Sequence, residues 1–216
     1  MRRKIKIAYL LDISNSWIYN YLKNSKLIKS KKNNSKIFFK TNKLKGYDLV
    51  FILNYTKILK ESFLKKNKLN LVVHASALPK GKGFSPLQWQ ILKNKNIIPM
   101  NLFKAKNKVD SGEIYVKNSI KLKGDELYDE LREKQAKETI NIIIKFLNKF
   151  PKIKSIRQKG KSTYFRKRNP GDSKLDINLS IKKNFQNLRV SNNNGWPAYF
   201  IYKKKKYILK IYKESL

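Results

Sequence analysis

The chain has 216 residues, 41% of them hydrophobic, which is enough for one α/β domain with a small addition and too many for wholesale disorder. It contains no cysteine and a single histidine, which removes disulfides, thiolate metal sites and cysteine nucleophiles and leaves no ligand set for zinc. The formal net charge of +37 would favour a polyanionic partner: nucleic acid, an anionic membrane or an acidic small molecule.

The distribution of that charge argues for composition over a nucleic-acid footprint. The cations are overwhelmingly Lys and run along the whole chain beside abundant Asn and Ile, residues with AT-rich codons. Arg, the better reader of bases and phosphates, is sparse, and no patch or stripe of cations stands out. Nucleic acid is therefore not the expected partner, whereas an anionic small molecule would be drawn to this surface. Residues 1–4 are basic and 5–11 largely apolar, but Lys6 breaks the run, Asp12 closes it and no small-residue cleavage site follows. The segment reads as a buried strand rather than a leader. With no apolar run long enough to span a membrane, a cytoplasmic soluble protein is expected.

In chain order, residues 4–11 (KIKIAYLL) predict a central strand. Asp12, Ile13, Ser14, Asn15 and Ser16 form a turn with several candidate N-caps. Trp17, Ile18, Tyr21 and Leu22 at helical spacing then predict a short amphipathic helix. No G-x-G-x-x-G follows the first strand, which disfavours a nicotinamide enzyme. Residues 24–35 predict a solvated connection, 36–40 a short strand, 47–53 (YDLVFIL) a buried strand, 60–66 a short helix and 70–73 the next parallel strand. This succession implies an α/β fold built on an open, mostly parallel sheet with crossover helices.

Residues 71–90, LVVHASALPKGKGFSPLQWQ, organise the rest. An apolar run delivers His74 to its end, a loop punctuated by Gly81 and Gly83 follows, and Ser85-Pro86 starts a helix, Ser as N-cap and Pro at the first helical position. Strand, polar residue at the carboxyl end, glycine loop and helix is where an open α/β sheet places its chemistry. The helix runs over 86–92, with Leu87, Ile91 and Trp89 inward. Residues 97–103 (IIPMNLF) predict a strand whose Pro99 indicates an edge position or a bulge. Val109-Asp110-Ser111-Gly112 then sets a carboxylate beside a glycine turn, and His74 and Asp110 are expected to meet in one site.

Residues 113–120 predict a further strand, and Asp125 is the expected cap of the longest helix, which Pro151 stops. That helix carries Tyr128, Leu131, Gln135, Thr139, Ile142, Ile143, Phe146, Leu147 and Phe150 on one face. From residue 152 the texture changes. Residues 162–172 mix aromatics, cations and a turn, and strands over 198–202 and 207–212 flank Lys203 to Lys206 closely. That four-Lys run reads as a solvated hairpin turn rather than a nucleic-acid tail. The chain thus divides into a catalytic domain over 1–151 and a small C-terminal β-rich subdomain over 152–216. The exposed hairpin could mediate a homodimer.

HASALPKGKGFSPLQW followed by VDSGEIY resembles the folate-dependent formyltransferases, the family of glycinamide ribonucleotide, methionyl-tRNA and sugar-nucleotide N-formyltransferases. Their pattern is N-x-H-x-S-L-L-P, a glycine-containing loop, a P-I-Q-W-like helix start, then D-x-G and an apolar strand. His74, Ser76, Leu78, Pro79, Gly83, Pro86, Gln88, Trp89, Asp110 and Gly112 fall on it, and residues 54–59 look like the family's Y-G-x-I-L turn. The match covers about residues 47–117. The resemblance implies a Rossmann-like formyltransferase core over 1–151 and 10-formyltetrahydrofolate as co-substrate. It assigns catalysis to His74 and Asp110, and places folate against Tyr55, Ile58, Leu78, Pro79, Gly83 and Ser85. One departure matters: the family places Asn two residues before the histidine, and here that position is Val72, with Asn70, Ser76 and Gln88 the polar residues nearest in sequence.

The chemistry accounts for these residue types. An amine attacking a formyl carbon produces an oxyanion and must shed a proton; an imidazole can stabilise the first and a neighbouring carboxylate can accept the second. Out of context, a lone His at a strand end more often packs or caps, Asp110 could be a turn former, and Tyr55 could merely pack. It is their convergence that favours a site.

Among acceptors, the tRNA enzymes carry, as the resemblance implies, a C-terminal barrel of around a hundred residues, more than follow Pro151. Glycinamide ribonucleotide enzymes show a glycine-rich phosphate loop after the first strand, where Asp12 to Trp17 here contain no glycine. TYFRKRNPGDSKLDIN and GWPAYF look like the short extension of the sugar-nucleotide enzymes. The implied acceptor is an amino sugar, nucleotide-linked and serving surface polysaccharide synthesis, held by Ser76, Gln88, Arg166 and Arg168, with Arg166, Lys167 and Arg168 able to pair with a diphosphate or merely to form a solvated basic turn. The alternatives are a methionyl-tRNA or other amine acceptor, and a non-catalytic polyanion-binding protein on the same fold.

Overall fold

A computed structural model describes residues 4–12, 17–30 and 32–214. The N-cap candidates Ser14, Asn15 and Ser16 lie outside the described residues. Alternation along β1 (Lys6–Leu10) places that strand: Ile7 and Tyr9 are buried on one face, Ala8 and Leu10 on the other. Leu49/Phe51 and Val50/Ile52 repeat the division in β3 (Leu49–Ile52). Strands buried on both faces belong inside a sheet covered on both sides. With β2 (Asn34–Phe38), β4 (Leu69–His74), β6 (Ile97–Lys104) and β7 (Ile114–Lys121) they form a six-stranded sheet of order β2-β1-β3-β4-β6-β7, while a two-residue strand β5 (Lys82–Gly83) stands apart. The first four strands are parallel and β6 is antiparallel to both neighbours, so the sheet is mostly parallel.

Short helices α1 (Tyr19–Asn24), α2 (Lys26–Lys29), α3 (Glu61–Leu64) and α4 (Pro86–Leu92) link these strands, and α2 falls where only a solvated connection was expected. The long helix α5 (Tyr128–Lys149) covers one face, bringing Leu131, Ile142, Ile143 and Phe146 onto Tyr9, Phe51 and Leu71. Tyr9 and Phe51 stack at 5.5 Å, and Phe146 meets Phe51 edge-on at 6.0 Å. Removing a ring as buried as Phe146 costs about 3–5 kcal/mol. On the opposite face a smaller cluster, Leu10, Val50, Ile52 and Phe63, has Tyr55 and Leu59 packed against it. The candidate site draws on both sides of the sheet, with Tyr55, Leu59 and Val72 from this cluster and Arg132, Gln135 and Thr139 from α5.

One local expectation holds only locally and one is corrected. Pro99 lies in a strand that is interior by order, and the bulge falls at Leu102/Phe103 instead. The pairing with β4 covers only Asn101 to Lys104, however, so at Pro99 β6 has a neighbour on one side alone and a missing N–H is tolerated. Asp125 is exposed and does not cap α5; the Glu130 carboxylate accepts instead from the Leu127 N–H at 2.9 Å. Glu126 turns inward and accepts from the N–H groups of Lys123 and Gly124 at 2.7 and 3.1 Å. Burial would raise its pKa, but these donors and Lys134 outweigh burial and bring it down to about 2.

The buried partner of Glu126 is Arg189, 3.0 Å away on α6 (Ile181–Val190). This helix was not legible in advance: Asn184 and Arg189 point inward, so its apolar periodicity is faint. Burial holds the Arg189 guanidinium below its ordinary pKa while Glu126 opposes the shift. Residues after α5 also include β8 (Tyr164–Phe165), parallel beside β5, a 3₁₀ turn over Pro170–Ser173, and the hairpin β9 (Ala198–Tyr202) and β10 (Lys205–Leu209). Lys203 and Lys204 make the two-residue turn with φ of +46° and +62°, as the hairpin reading of the Lys run requires. Among the described residues no helix is long and apolar enough to cross a membrane.

Candidate active site

β4 carries Val72 and His74 on one face, because side chains two apart in a strand point the same way. His74 is 9% exposed and lies edge-on to Phe103 at 6.5 Å. Its Nε2 is 2.8 Å from the Gly81 carbonyl oxygen. A carbonyl only accepts, so Nε2 carries a proton and Nδ1 is the atom turned toward Asp110, 3.8 Å from Oδ2. The sequence expectation that His74 and Asp110 share a site therefore has a defined geometry.

Asp110 sits in the turn joining β6 to β7 with a left-handed backbone, φ +47°. The turn closes tightly: a Cβ on Gly112 would lie 1.7 Å from the Lys104 carbonyl oxygen, so only glycine fits. Gln158 braces it by donating to the carbonyls of Asp110 and Gly112 at 2.9 and 2.8 Å. Asp110 Oδ2 accepts from the Gly83 N–H at 2.8 Å, tying the carboxylate to the glycine loop.

That loop is itself strapped by the segment before and within β8. Lys82 N donates to Thr163 O at 2.9 Å, Phe84 N to Phe165 O at 3.1 Å, and Gly81 N to Thr163 Oγ1 at 2.8 Å. Gly83 has φ +92°, and a Cβ there would come 2.5 Å from the Phe165 carbonyl oxygen. One loop thus presents the acceptor that fixes the His74 ring and the donor that fixes Asp110, and the C-terminal residues hold it in place.

A cavity of about 370 Å³ opens at this pair, within the range of small-molecule sites. Of the residues expected to line it, His74, Asp110, Tyr55, Ile58, Gly83, Ser85, Gln88 and Arg168 do. Burial raises the Tyr55 hydroxyl pKa, and Asp12 adds to the shift. Four expected residues lie elsewhere. Leu78 packs with Phe103 and Ile114, its bond to Pro79 is cis, and Pro79 is buried beside it. Ser76 is buried behind the site, its carbonyl taking the Asn101 amide at 2.5 Å. Arg166 forms a bidentate pair with Asp172 and lies over the Trp89 ring, 4.7 Å from its centre.

Two expectations about α4 are corrected. Ser85 has φ +50° and its side chain makes no cap bond, so a left-handed backbone sets the helix entry. Trp89 is not inward: it is half-buried, stacks on Phe165, and donates its indole N–H to Arg166 O at 2.8 Å.

At the departure from the family pattern, Val72 lines the cavity and packs against Leu78, Phe103 and Ile114. Asn70 gives its amide to Leu64 O at 2.8 Å and Ser76 lies behind the wall. Gln88 lines the cavity, and with its amide oxygen turned to Arg132 it accepts from Nη2 at 2.6 Å. The Asn70 and Gln88 amides are thus engaged by Leu64 and Arg132. Arg132, Gln158 and Thr163 were not singled out in the sequence. Gln158 and Thr163 act through main-chain contacts distant in sequence, and Arg132 reads there as one more cation on a helix.

Comparison with known proteins gives matches in sequence and in fold. Residues 12–147 match the family model described as formyl transferase. The bifunctional polymyxin resistance protein ArnA of Wigglesworthia glossinidia brevipalpis is 34% identical over 79% of this chain and 26% of its own length. A methionyl-tRNA formyltransferase of Sulfurihydrogenibium sp. is 29% identical over 77% of this chain and 54% of its own. The chain thus spans about a quarter to about half the length of these curated relatives. A solved methionyl-tRNA formyltransferase from Clostridium thermocellum shares the fold with a TM-score of 0.82 at 20% identity, covering 98% of this chain and 94% of that one. With the family model matching well over half of the residues, the chain belongs to the formyl transferase family.

Proposed function

We propose that this protein is an N-formyltransferase that moves a formyl group from 10-formyltetrahydrofolate to the amine of a nucleotide-linked amino sugar, with His74 and Asp110 as the catalytic pair. The observation that carries this reading is the 3.8 Å approach of His74 Nδ1 and Asp110 Oδ2 at the mouth of a cavity of about 370 Å³. The walls suit the folate: the backbone and side chains of residues 54–59, with Val72, Phe103 and Val109, offer a largely apolar slot beside the pair where a planar ring can lie. When bound, the folate supplies an activated formyl carbon.

The residues do the proton work. With Nε2–H held by Gly81, the neutral ring presents an acceptor at Nδ1, and Asp110 presents another. Two acceptors 3.8 Å apart leave a place for one N–H between them, and that is where an attacking amine nitrogen can pass its proton as the new N–C bond forms. Protonated His74 beside the Asp110 carboxylate then returns a proton to the departing nitrogen as the old C–N bond breaks. Val72 offers no hydrogen bond to the developing oxyanion at the position where the family pattern has an Asn amide. A missing donor of this type costs about 10²–10³ in rate.

The nucleotide-sugar acceptor is supported by the TYFRKRNPGDSKLDIN and GWPAYF tail motifs and by a cavity of small-molecule size. A second reading, methionyl-tRNA as acceptor, is favoured by the match to the Sulfurihydrogenibium protein. Incubation with 10-formyltetrahydrofolate and a panel of amino-sugar nucleotides or initiator methionyl-tRNA, with tetrahydrofolate release as readout, separates the two. Turnover with a nucleotide sugar is expected; turnover with the tRNA alone would replace this reading by the second.

A further inference from the structure

The cavity that holds His74 and Asp110 is also lined by Arg132, Lys167 and Arg168. Arg168 is only 6% exposed. Its Nη1 and Nη2 donate to the main-chain carbonyls of Val190 and Asp172 at 3.2 and 3.1 Å. Arg132 lies between two rings, 5.0 Å from the centres of both Trp17 and Tyr128, and its two Nη groups reach Gln135 and Gln88 at 2.8 and 2.6 Å. In both residues Nε is buried without a partner. A guanidinium carries five N–H donors; with Gln88 also accepting from Arg132 Nη1 at 3.3 Å, two remain unanswered by protein acceptors on Arg132 and three on Arg168.

The unusual feature is the missing counter-charge. Arg189 has Glu126 and Arg166 has Asp172, but among the described residues neither Arg132 nor Arg168 forms an ion pair. The carboxylate nearest Arg168, that of Asp172, is already committed to Arg166 and the Asn169 N–H. Burial first holds Arg168 below its ordinary pKa; the field of Asp172 opposes the shift and that of Arg132 adds to it, so the two cations act on one another. Like charges drawn together in a partly desolvated wall are unfavourable until an anion joins them.

We propose that Arg132 and Arg168 form a clamp for the diphosphate of a small-molecule ligand, with Arg132 the principal recognition residue. Planar guanidinium groups with free N–H donors match phosphate oxygens in pairs, and two of them balance the charge of a diphosphate better than that of a single carboxylate. The rings of Trp17 and Tyr128 fix the Arg132 plane, so little side-chain entropy is lost on binding. Trp196, which borders the same cavity, gives the rest of such a ligand an apolar surface. This assignment rests on the acceptor reading above for the identity of the ligand, but not for the existence of the anion site.

The test is calorimetric titration of the full chain with inorganic pyrophosphate, then with a nucleoside diphosphate and a short single-stranded oligonucleotide, at low and moderate salt. The parent is expected to bind both diphosphates with one-to-one stoichiometry. Arg132→Gln should weaken them at least tenfold and Arg132→Lys by an intermediate factor, while Lys204→Gln on the hairpin turn leaves them unchanged. Binding of 5-formyltetrahydrofolate should survive in both Arg132 variants, which also shows that they fold. Oligonucleotide binding, if seen, should fall with salt and not with Arg132. The proposal is overturned if the parent does not bind pyrophosphate, if both Arg132 variants bind it as the parent does, or if Lys204→Gln weakens it equally. Pyrophosphate binding through Arg132 without formyl transfer to any nucleotide sugar would leave the clamp standing and remove the acceptor reading alone.

Discussion

The His74–Asp110 gap and the Arg132–Arg168 pair border one cavity, yet they are completed to different degrees. At the first, protein groups already answer the fixed atoms: Gly81 O holds Nε2, Gly83 N holds Asp110 Oδ2, and Gln158 holds the Asp110 carbonyl. At the second, two buried Nε–H groups have no acceptor and, among the described residues, neither guanidinium forms an ion pair. The difference follows from the task. Proton transfer needs donor and acceptor placed before the reaction begins, since a misplacement near 1 Å can cost about 10² in rate. A binding end can leave its last hydrogen bonds to the ligand.

The sharpest way to break the first half of this comparison is at the pair itself. His74→Ala or Asp110→Asn should lower kcat by about 10³–10⁴ with folate affinity retained, measured by tetrahydrofolate release and by ligand titration. Folate binding lost together with activity would instead make these residues structural. Gly83→Ala comes next: its Cβ would meet the Phe165 carbonyl and displace the donor to Asp110, so kcat should fall by about 10² while the fold persists in circular dichroism. An unchanged rate would show that the strap does not position the pair.

Val72→Asn works in the opposite direction. Restoring an amide on the same face as His74 should raise kcat by about tenfold, part of what one oxyanion donor supplies. A rate that stays flat would mean another group already serves. The smallest effect is expected at Arg166→Gln: because that side chain is committed to Asp172 and Trp89 outside the cavity, KM for the acceptor should change by no more than about twofold. A large KM effect would move the anion end of the cavity to the surface turn.

What could be read from sequence follows the kind of contact involved. The sheet was legible because β1 and β3 alternate between two buried faces, and His74 and Asp110 because a strand end and a glycine turn bracket them. Leu78 and Ser76 lie on the same motif but face the core, and sequence spacing cannot tell a wall residue from the one behind it. Arg166 and Arg168 are two residues apart and equally basic; which one is neutralised depends on where Asp172 returns in the 3₁₀ turn. The helix α6 stayed hidden because its inward positions include Asn184, which holds the Asp176 carbonyl at 2.8 Å, and the ion-paired Arg189. Polar groups that serve as internal braces erase the pattern by which a helix is recognised.

The central claim, that His74 and Asp110 perform formyl transfer to a small amine, is tested most directly by single-turnover release of tetrahydrofolate from 10-formyltetrahydrofolate. The parent and His74→Ala would be mixed with a panel of amino-sugar nucleotides. The account predicts release with at least one nucleotide sugar for the parent and a loss of about 10³ or more in the variant, with the folate bound equally by both. Equal release by the two proteins would contradict it.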